Sequence, residues 1–279
     1  MNLVTIKPQD NLKQVIKEFW YTNIQNSKRQ AETYRIFGDG APGIIFQHTN
    51  GHSSVLDVNG YPLPLSFAYG QSTNPCNNKI VDNSFIFGIN LHPTAFKTLF
   101  GIDLSEITNA VLDTEHLFSR QFNEQILNTS NPQNIVQLFE EKFTKFLSDR
   151  RQNNIVNESV RLIMQNITDI TPHKLSSYFH LSTRQMQRKF KEYTGVCPET
   201  YIRIAKFQQA IHLLKNEQYH KLSDIGYRLN YADQSHFNRE FKLFSNFTPK
   251  DFVKTMSIAQ PFIKTNPAFQ AIRIVRRCA

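Results

Sequence analysis

Arg184, Gln187, Arg188 and Lys191 recur at i, i+3, i+4 and i+7, a spacing that sets them along one side of a helix. Their chemistry on such a face is that of a base reader. A guanidinium can grip guanine O6 and N7 with two bonds, and Gln or Asn can do the same to adenine N6 and N7. Ser235, Asn238, Arg239 and Lys242 repeat the arrangement further along the chain. Behind each face lies an apolar stripe: Met186, Phe190 and Tyr193 in the first case, Phe237, Phe241 and Phe244 in the second. Polar outer faces are common on any surface helix. A merely solvated face, however, has no need to keep Arg with Lys three residues later in both copies.

The elements that would hold these faces repeat as well. Shifted by 51 residues, Arg188 falls on Arg239, Phe190 on Phe241, Lys191 on Lys242 and Pro198 on Pro249. Upstream the offset is 50, which pairs Leu175 with Ile225 and Phe179 with Leu229, as one extra residue in the second turn would produce. Each copy reads as a short helix, a turn, a second helix and a proline-initiated third. The connecting helix, from Glu199 to about Lys215, would be ~17 residues or ~25 Å long at 1.5 Å per residue. That length suits two reading helices set near the ~34 Å between successive major grooves on one face of B-DNA.

Charge is distributed to match. Residues 1–150 contain 12 Lys and Arg against 14 acidic residues, whereas residues 151–279 contain 20 against 9. A mildly acidic half joined to a strongly basic one is the asymmetry expected when one domain meets nucleic acid or an anionic membrane. At 279 residues, 40% hydrophobic and 20% charged, the chain has ordinary globular composition and length for two domains. No apolar run approaches the ~18 residues of a membrane span, and Pro8 interrupts the start before a signal-peptide core could form. A cytoplasmic protein with no membrane partner is the expectation. Cys76, Cys197 and Cys278 are odd in number and widely spaced, which argues against a disulfide framework or a zinc knuckle.

In the first half, Leu12, Val15, Ile16, Phe19 and Trp20 have helical spacing. Short apolar runs separated by turn residues follow, with Asn50-Gly51 and Asn59-Gly60 as hairpin signals, so residues 30–92 read as a small antiparallel sheet or barrel. His92-Pro93-Thr94 opens a helix, and a longer one spans about Pro132–Asp149. The polar stretch Arg150–Asn154 marks the boundary. Enzyme chemistry finds little support. His48 and His52 have a metal-like spacing but no paired Glu, Cys76 lacks the companions of a reactive-thiol centre, and Gly38-Asp39-Gly40 is most simply a turn. Phe19, Trp20, Tyr34, Phe46, Phe67, Tyr69, Phe85 and Phe87 could line a pocket, although such residues at alternating spacing are more often plain core. A metal- or cysteine-based enzyme fused to a DNA-binding module is the alternative from another class.

Leu181–Gly195 with Pro198 and Tyr201-Ile202-Arg203 resembles the first helix-turn-helix of AraC/XylS-type transcription regulators. Asp224-Ile225-Gly226, Tyr231–Lys242 and Thr248–Phe252 resemble the second. Gly88–Ile102 and Thr108-Asn109 are similar to parts of the β-rich N-terminal domain often fused to that module. The resemblance implies an α+β two-domain chain: a small N-terminal sheet or barrel with flanking helices, and an all-α C-terminal domain of seven helices containing two helix-turn-helix units. Its divisions are 1–150 for regulation by ligand sensing or dimerisation, 155–256 for DNA binding, and 257–279 as a basic tail, of which Ala268–Ala279 is expected to be frayed and solvated.

Carried over by position, the resemblance implies that Arg184, Gln187, Arg188, Gln234, Ser235, His236 and Arg239 read bases. It places Thr183, Lys191, Asn238, Lys242 and Lys250 on phosphates. The pattern usually has Gly where this chain has His180, Asn230 and Asn246, and Ala at Ser176 and Gly226. The implied partners are double-stranded promoter or operator DNA and RNA polymerase, with a small-molecule effector and a second copy of the chain as candidates. No enzymatic activity and no cofactor are expected.

Overall fold

The computed structural model describes residues 2–24, 32–38, 40–48, 51–80, 83–148, 154–258 and 271–274. The first half is built from strands β1 (Asn2–Ile6), β2 (Ile16–Ile24), β3 (Glu32–Ile36), β4 (Gly43–His48), β5 (Val55–Leu56), β6 (Ser66–Tyr69), β7 (Cys76–Ile80), β8 (Ser84–Leu91) and β9 (Val111–Asp113). Its helices are α1 (Ala95–Phe100), α2 (Arg120–Leu127) and α3 (Pro132–Ser148). The second half runs through α4 (Asn154–Gln165), α5 (Pro172–Tyr178), α6 (Thr183–Thr194), α7 (Pro198–Lys215), α8 (Leu222–Arg228), α9 (Gln234–Ser245) and α10 (Pro249–Ile258), with a last strand, β10 (Ala271–Ile274).

Two antiparallel sheets form in the order β1-β2-β8-β4-β6-β9 and β10-β3-β7-β5. Helices α1–α3 cover one face of the larger sheet through an aromatic core in which Phe139 lies 5.4 Å from Phe46 and stacks on Phe87 at 6.2 Å. Trp20, Ile24, Val55, Ile80 and Ile86 form a separate apolar cluster that joins the larger sheet to β5 and β7 of the smaller one. The expected sheet is therefore two sheets in layers with helices on one side.

This layering corrects the helix expected over Leu12–Trp20. The chain there makes a single 3₁₀ turn at Asp10–Leu12 and then enters β2. Leu12, Val15, Ile16 and Phe19 all bury in the helix-covered core, while Trp20 joins the opposite cluster. A register irregularity between Ile16 and Glu18 lets a strand buried on both faces imitate helical spacing. Of the two hairpin signals, Asn59-Gly60 forms a tight turn, with Gly60 at φ 90° and its N–H donating to the Asp57 carbonyl at 3.1 Å. Asn50 lies outside the described residues, as do residues 150–153 of the expected boundary.

The basic tail is also corrected. The C-terminal domain continues in α10 to Ile258, and Ala271–Ile274 pairs antiparallel with β3, where a wholly frayed tail was expected. Residues 259–270 and 275–279, Cys278 among them, lie outside the described residues.

Between Asn154 and Ile258 there are seven helices, and the repeat is visible atom by atom. His180 at φ 52° and Asn230 at φ 53° occupy equivalent left-handed turns, where Leu181 N donates to Ser176 O at 2.9 Å and Tyr231 N to Gly226 O at 3.0 Å. Each reading helix ends in the left-handed region, at Gly195 (φ 83°) and Asn246 (φ 60°). Just before each, a buried hydroxyl closes the last turn. Thr194 Oγ1 donates to Phe190 O or Val196 O at 2.9 and 3.0 Å, and Ser245 Oγ to Phe241 O or Phe247 O at 2.6 and 3.1 Å. Thus Asn serves where the family pattern has Gly, as its tolerance of this conformation allows.

Helix α7 belongs to both units. Its first half gives Tyr201, Ile202 and Ala205 to the core around Met186 and Phe190, and its second half gives Phe207, Ile211 and Leu214 to the core around Phe237 and Phe241.

Gly226 sits inside α8 without positive φ, and an added Cβ would meet Phe237 Cβ at 3.4 Å, an ordinary contact. Gly226→Ala is expected to raise stability by about 0.5–1 kcal/mol through helix propensity. Urea denaturation checks this, and an unchanged or lower midpoint would show that close packing outweighs propensity.

Candidate nucleic-acid interface

The first reading helix, α6, starts on a capping box: Gln185 N donates to Ser182 Oγ at 3.2 Å and Ser182 N to Gln185 Oε1 at 2.9 Å. Met186 and Phe190 are buried beneath it. Thr183, Arg184, Gln187, Arg188 and Lys191 are exposed, and among the described residues no ion pair holds the two arginines or Lys191. The face read from spacing is therefore solvent-facing and available.

The second reading helix, α9, is capped by Asp233, whose side chain accepts from His236 N at 2.7 Å. Phe237, Phe241 and Phe244 are buried, while Ser235, Arg239 and Lys242 are exposed. Lys250 is exposed near the start of α10. Two of the sequence-named residues are less open. Gln234 donates from Nε2 to Asn238 Oδ1 at 3.1 Å, and its Oε1 is buried without a hydrogen-bond partner, near the space over Gly226. His236 packs edge-on against Tyr231 at 5.3 Å. Gln234, His236 and Asn238 are half-buried, so the open part of this face is Ser235, Arg239 and Lys242.

Arg203 of α7 locks α9 in place. Its Nε and Nη2 donate to the two Glu240 oxygens at 2.7 and 2.9 Å, and the hydrogen-bonded carboxylate holds the guanidinium above its usual pKa. This two-pronged pair orients α9 against the helix that both units share.

Sequence reasoning missed how the N-terminal half takes hold of this domain. Thr108 Oγ1 donates to Gly195 O at 2.8 Å, at the end of α6. Lys97 of α1 pairs with Glu192 of α6 at 2.9 Å, and Thr94 hydrogen-bonds to Asn157 of α4. At the second unit, the Arg35 guanidinium lies 4.4 Å from the Phe247 ring centroid, with Nη1 3.5 Å from Ser245 O. Phe37 enters the second unit's core, 6.1 Å from Phe207 and 6.0 Å from Phe252, and Gln208 donates to the Gly38 carbonyl. The two grips fall at equivalent points of the repeat, the turns that end α6 and α9. Thr108 was visible in the sequence only as part of a resembling pair; Arg35 and Phe37 carried no signal.

Among the described residues no group of three or more His, Cys, Asp or Glu side chains is placed to hold a metal. The protein surrounding Cys76 pushes its thiol above the usual pKa, away from the reactive thiolate. Among the described residues no helix is long and apolar enough to cross a membrane.

Two known families match separate stretches of the chain. Residues 175–255 match a helix-turn-helix domain family, and residues 4–113 match a domain of unknown function, DUF6597. The paired units and their open faces define a DNA-binding helix-turn-helix domain. It resembles the domain of AraC/XylS-type regulators. Over 77 residues the chain is 34% identical to the HTH-type transcriptional activator RhaS of Escherichia coli O139:H28 and 32% identical to RhaS of Salmonella arizonae. Each match covers 28% of this chain and 27% of the relative, so the chain spans about a quarter of the length of these relatives. Among solved structures, ToxT from Vibrio cholerae is similar at 14% identity, with 85% of this chain and 98% of ToxT covered and a TM-score of 0.47. The C-terminal domain of AraT, a response regulator from Geobacillus stearothermophilus, is similar at 20% identity over 38% of this chain and 88% of that one, with a TM-score of 0.36.

Glu240→Ala would strand the partly buried Arg203 and loosen α9. A loss of about 1–3 kcal/mol in chemical denaturation is expected. A change within error would mean that solvent already satisfies the guanidinium.

Proposed function

We propose that the whole chain is a sequence-specific DNA-binding transcription regulator that acts in the cytoplasm by binding and not by catalysis. One observation carries this reading: two structurally repeated helices present the same kind of cationic, hydrogen-bonding face to solvent, and one continuous helix joins their cores. Arg184, Gln187 and Arg188 from α6, and Ser235 and Arg239 from α9, are assigned to base edges in successive major grooves. Gln234 and His236 keep the same assignment as secondary contacts, since turning them outward would break the packing just described. Thr183, Lys191, Asn238, Lys242 and Lys250 are assigned to phosphates, where they add affinity with little sequence information. The N-terminal half is assigned to control as a sensor, and RNA polymerase is the partner through which a bound regulator would act.

Selection of random duplexes by the purified full-length protein tests this reading. Recovery of two short blocks about one helical turn apart is expected. Arg188→Ala and Arg239→Ala should each cost about 1–3 kcal/mol on the recovered site and relax one base position, in different blocks. Lys191→Ala should weaken all duplexes alike and lower the salt slope by about 1. A steep salt dependence with no enriched sequence would leave phosphate attraction alone and refute specific reading.

A further inference from the structure

Between the two sheets lies a cavity of about 510 Å³, within the range of small-molecule sites. Its walls are mainly apolar, including Trp20, Phe37, Phe67, Ile80 and Ile86. The polar groups that reach it are chiefly amides: Asn74, Asn78, Asn90 and Asn109. Among the described residues no Lys, Arg or His lines it, and the one acidic residue that does, Asp57, already accepts from Asn59 N and Tyr61 N at 2.9 Å each. A carboxylate or phosphate entering this space would lose its hydration with no cation among the described lining residues to replace it, and a desolvated anion without a partner is strongly disfavoured.

The cavity wall also includes parts of both grips on the DNA-binding domain. Phe37 lines it and at the same time packs against Phe207 and Phe252 of the second unit. Asn109 and Ala110 line it directly after Thr108, whose hydroxyl holds Gly195 O at the end of α6. Little slack separates these parts. A Cβ on Gly195 would come within 2.8 Å of Thr108 Oγ1, and one on Gly38 would collide with the Ser72 carbonyl. A guest that displaces Phe37 or the 108–110 segment therefore cannot be absorbed locally.

We propose that this cavity binds an uncharged, mainly apolar small molecule with one hydrogen-bonding end, and that its occupancy is coupled to the hold on both reading helices through Phe37 and Thr108. The inference rests on the sensor reading of the N-terminal half and adds the ligand class and the route of coupling. By linkage, a ligand that changes DNA affinity by some factor has its own affinity changed by the same factor when DNA binds.

Trp20, the only tryptophan of the chain, lines the cavity and reports its occupancy. Full-length protein is titrated with three neutral probes, 4-tert-butylcyclohexanol, 2-phenylethanol and 1-octanol, while Trp20 emission is followed. The carboxylate and ammonium counterparts of each probe are titrated in parallel. At least one alcohol is expected to give a saturable change, with Kd at least tenfold below those of its charged counterparts. On the DNA site recovered by selection, that alcohol should shift affinity about fivefold or more. Thr108→Val, which keeps the shape of the side chain and removes the bond to Gly195, should reduce that shift, and Phe37→Leu should do so from the other unit. Silence of Trp20 toward all three alcohols, equal binding of a charged counterpart, or full coupling in both variants would overturn the proposal. Selection without any probe is independent: a bipartite site recovered by a protein that binds no alcohol refutes only the cavity assignment. Trp20 saturation in a protein that selects no sequence refutes the regulator reading instead.

Discussion

At Gly195 and Asn246 the chain turns through left-handed backbone, and on these two equivalent corners the rest of the molecule hangs. Each corner ends a reading helix, with the Thr194 or Ser245 hydroxyl bridging the last turn to the segment that follows. Each also launches a proline-initiated helix, α7 or α10. The N-terminal half holds the backbone at the same two places, with Thr108 at one and Arg35 at the other. The reading faces are left open to solvent, because the hold is taken at the helix ends and not across the bases' side. The first half thus touches the second without covering the exposed faces of α6 and α9.

The N-terminal half is layered so that one sheet serves two purposes. Its helix-covered side is a dense aromatic core, in which Phe118 packs among Phe100, Phe122, Phe139, Phe143 and Phe146. Rings packed so closely resist deformation. The other side faces the smaller sheet across a space that is not filled. On the cavity side lie β3 and the 108–110 segment, two of the parts in contact with the DNA-binding domain, while α1 on the packed side touches it through Thr94 and Lys97.

The helical half was legible because its signals are local. Stripes such as Met186, Phe190 and Tyr193 lie within two turns, and duplication of the unit displayed the same pattern twice. The side of α6 that its spacing set apart is exposed along its length. On α9 the spacing named Gln234 and His236, yet it could not show that one side chain bonds Asn238 and the other packs on Tyr231. Strand β2 was misread because a strand apolar on both faces, interrupted by an irregularity, has no two-residue alternation to detect. Of the cavity the sequence named only the rings Trp20, Phe67 and Tyr69, and no contact of the two grips, for another reason. They depend on residues far apart in the chain, as with Arg35 and Ser245 or Thr108 and Gly195, and no periodicity encodes such meetings.

Because α7 is one unbroken helix of 18 residues embedded in both cores, its length is a phase as well as a distance. Inserting a single residue would swing the second unit by about 100° around the helix axis while advancing it only about 1.5 Å. Such a change would turn one reading face away from the duplex long before the spacing became unsuitable. On the proposed function, descendants of this gene can thus drift in the letters each helix prefers, one side chain at a time, while the interval between the two words stays nearly frozen.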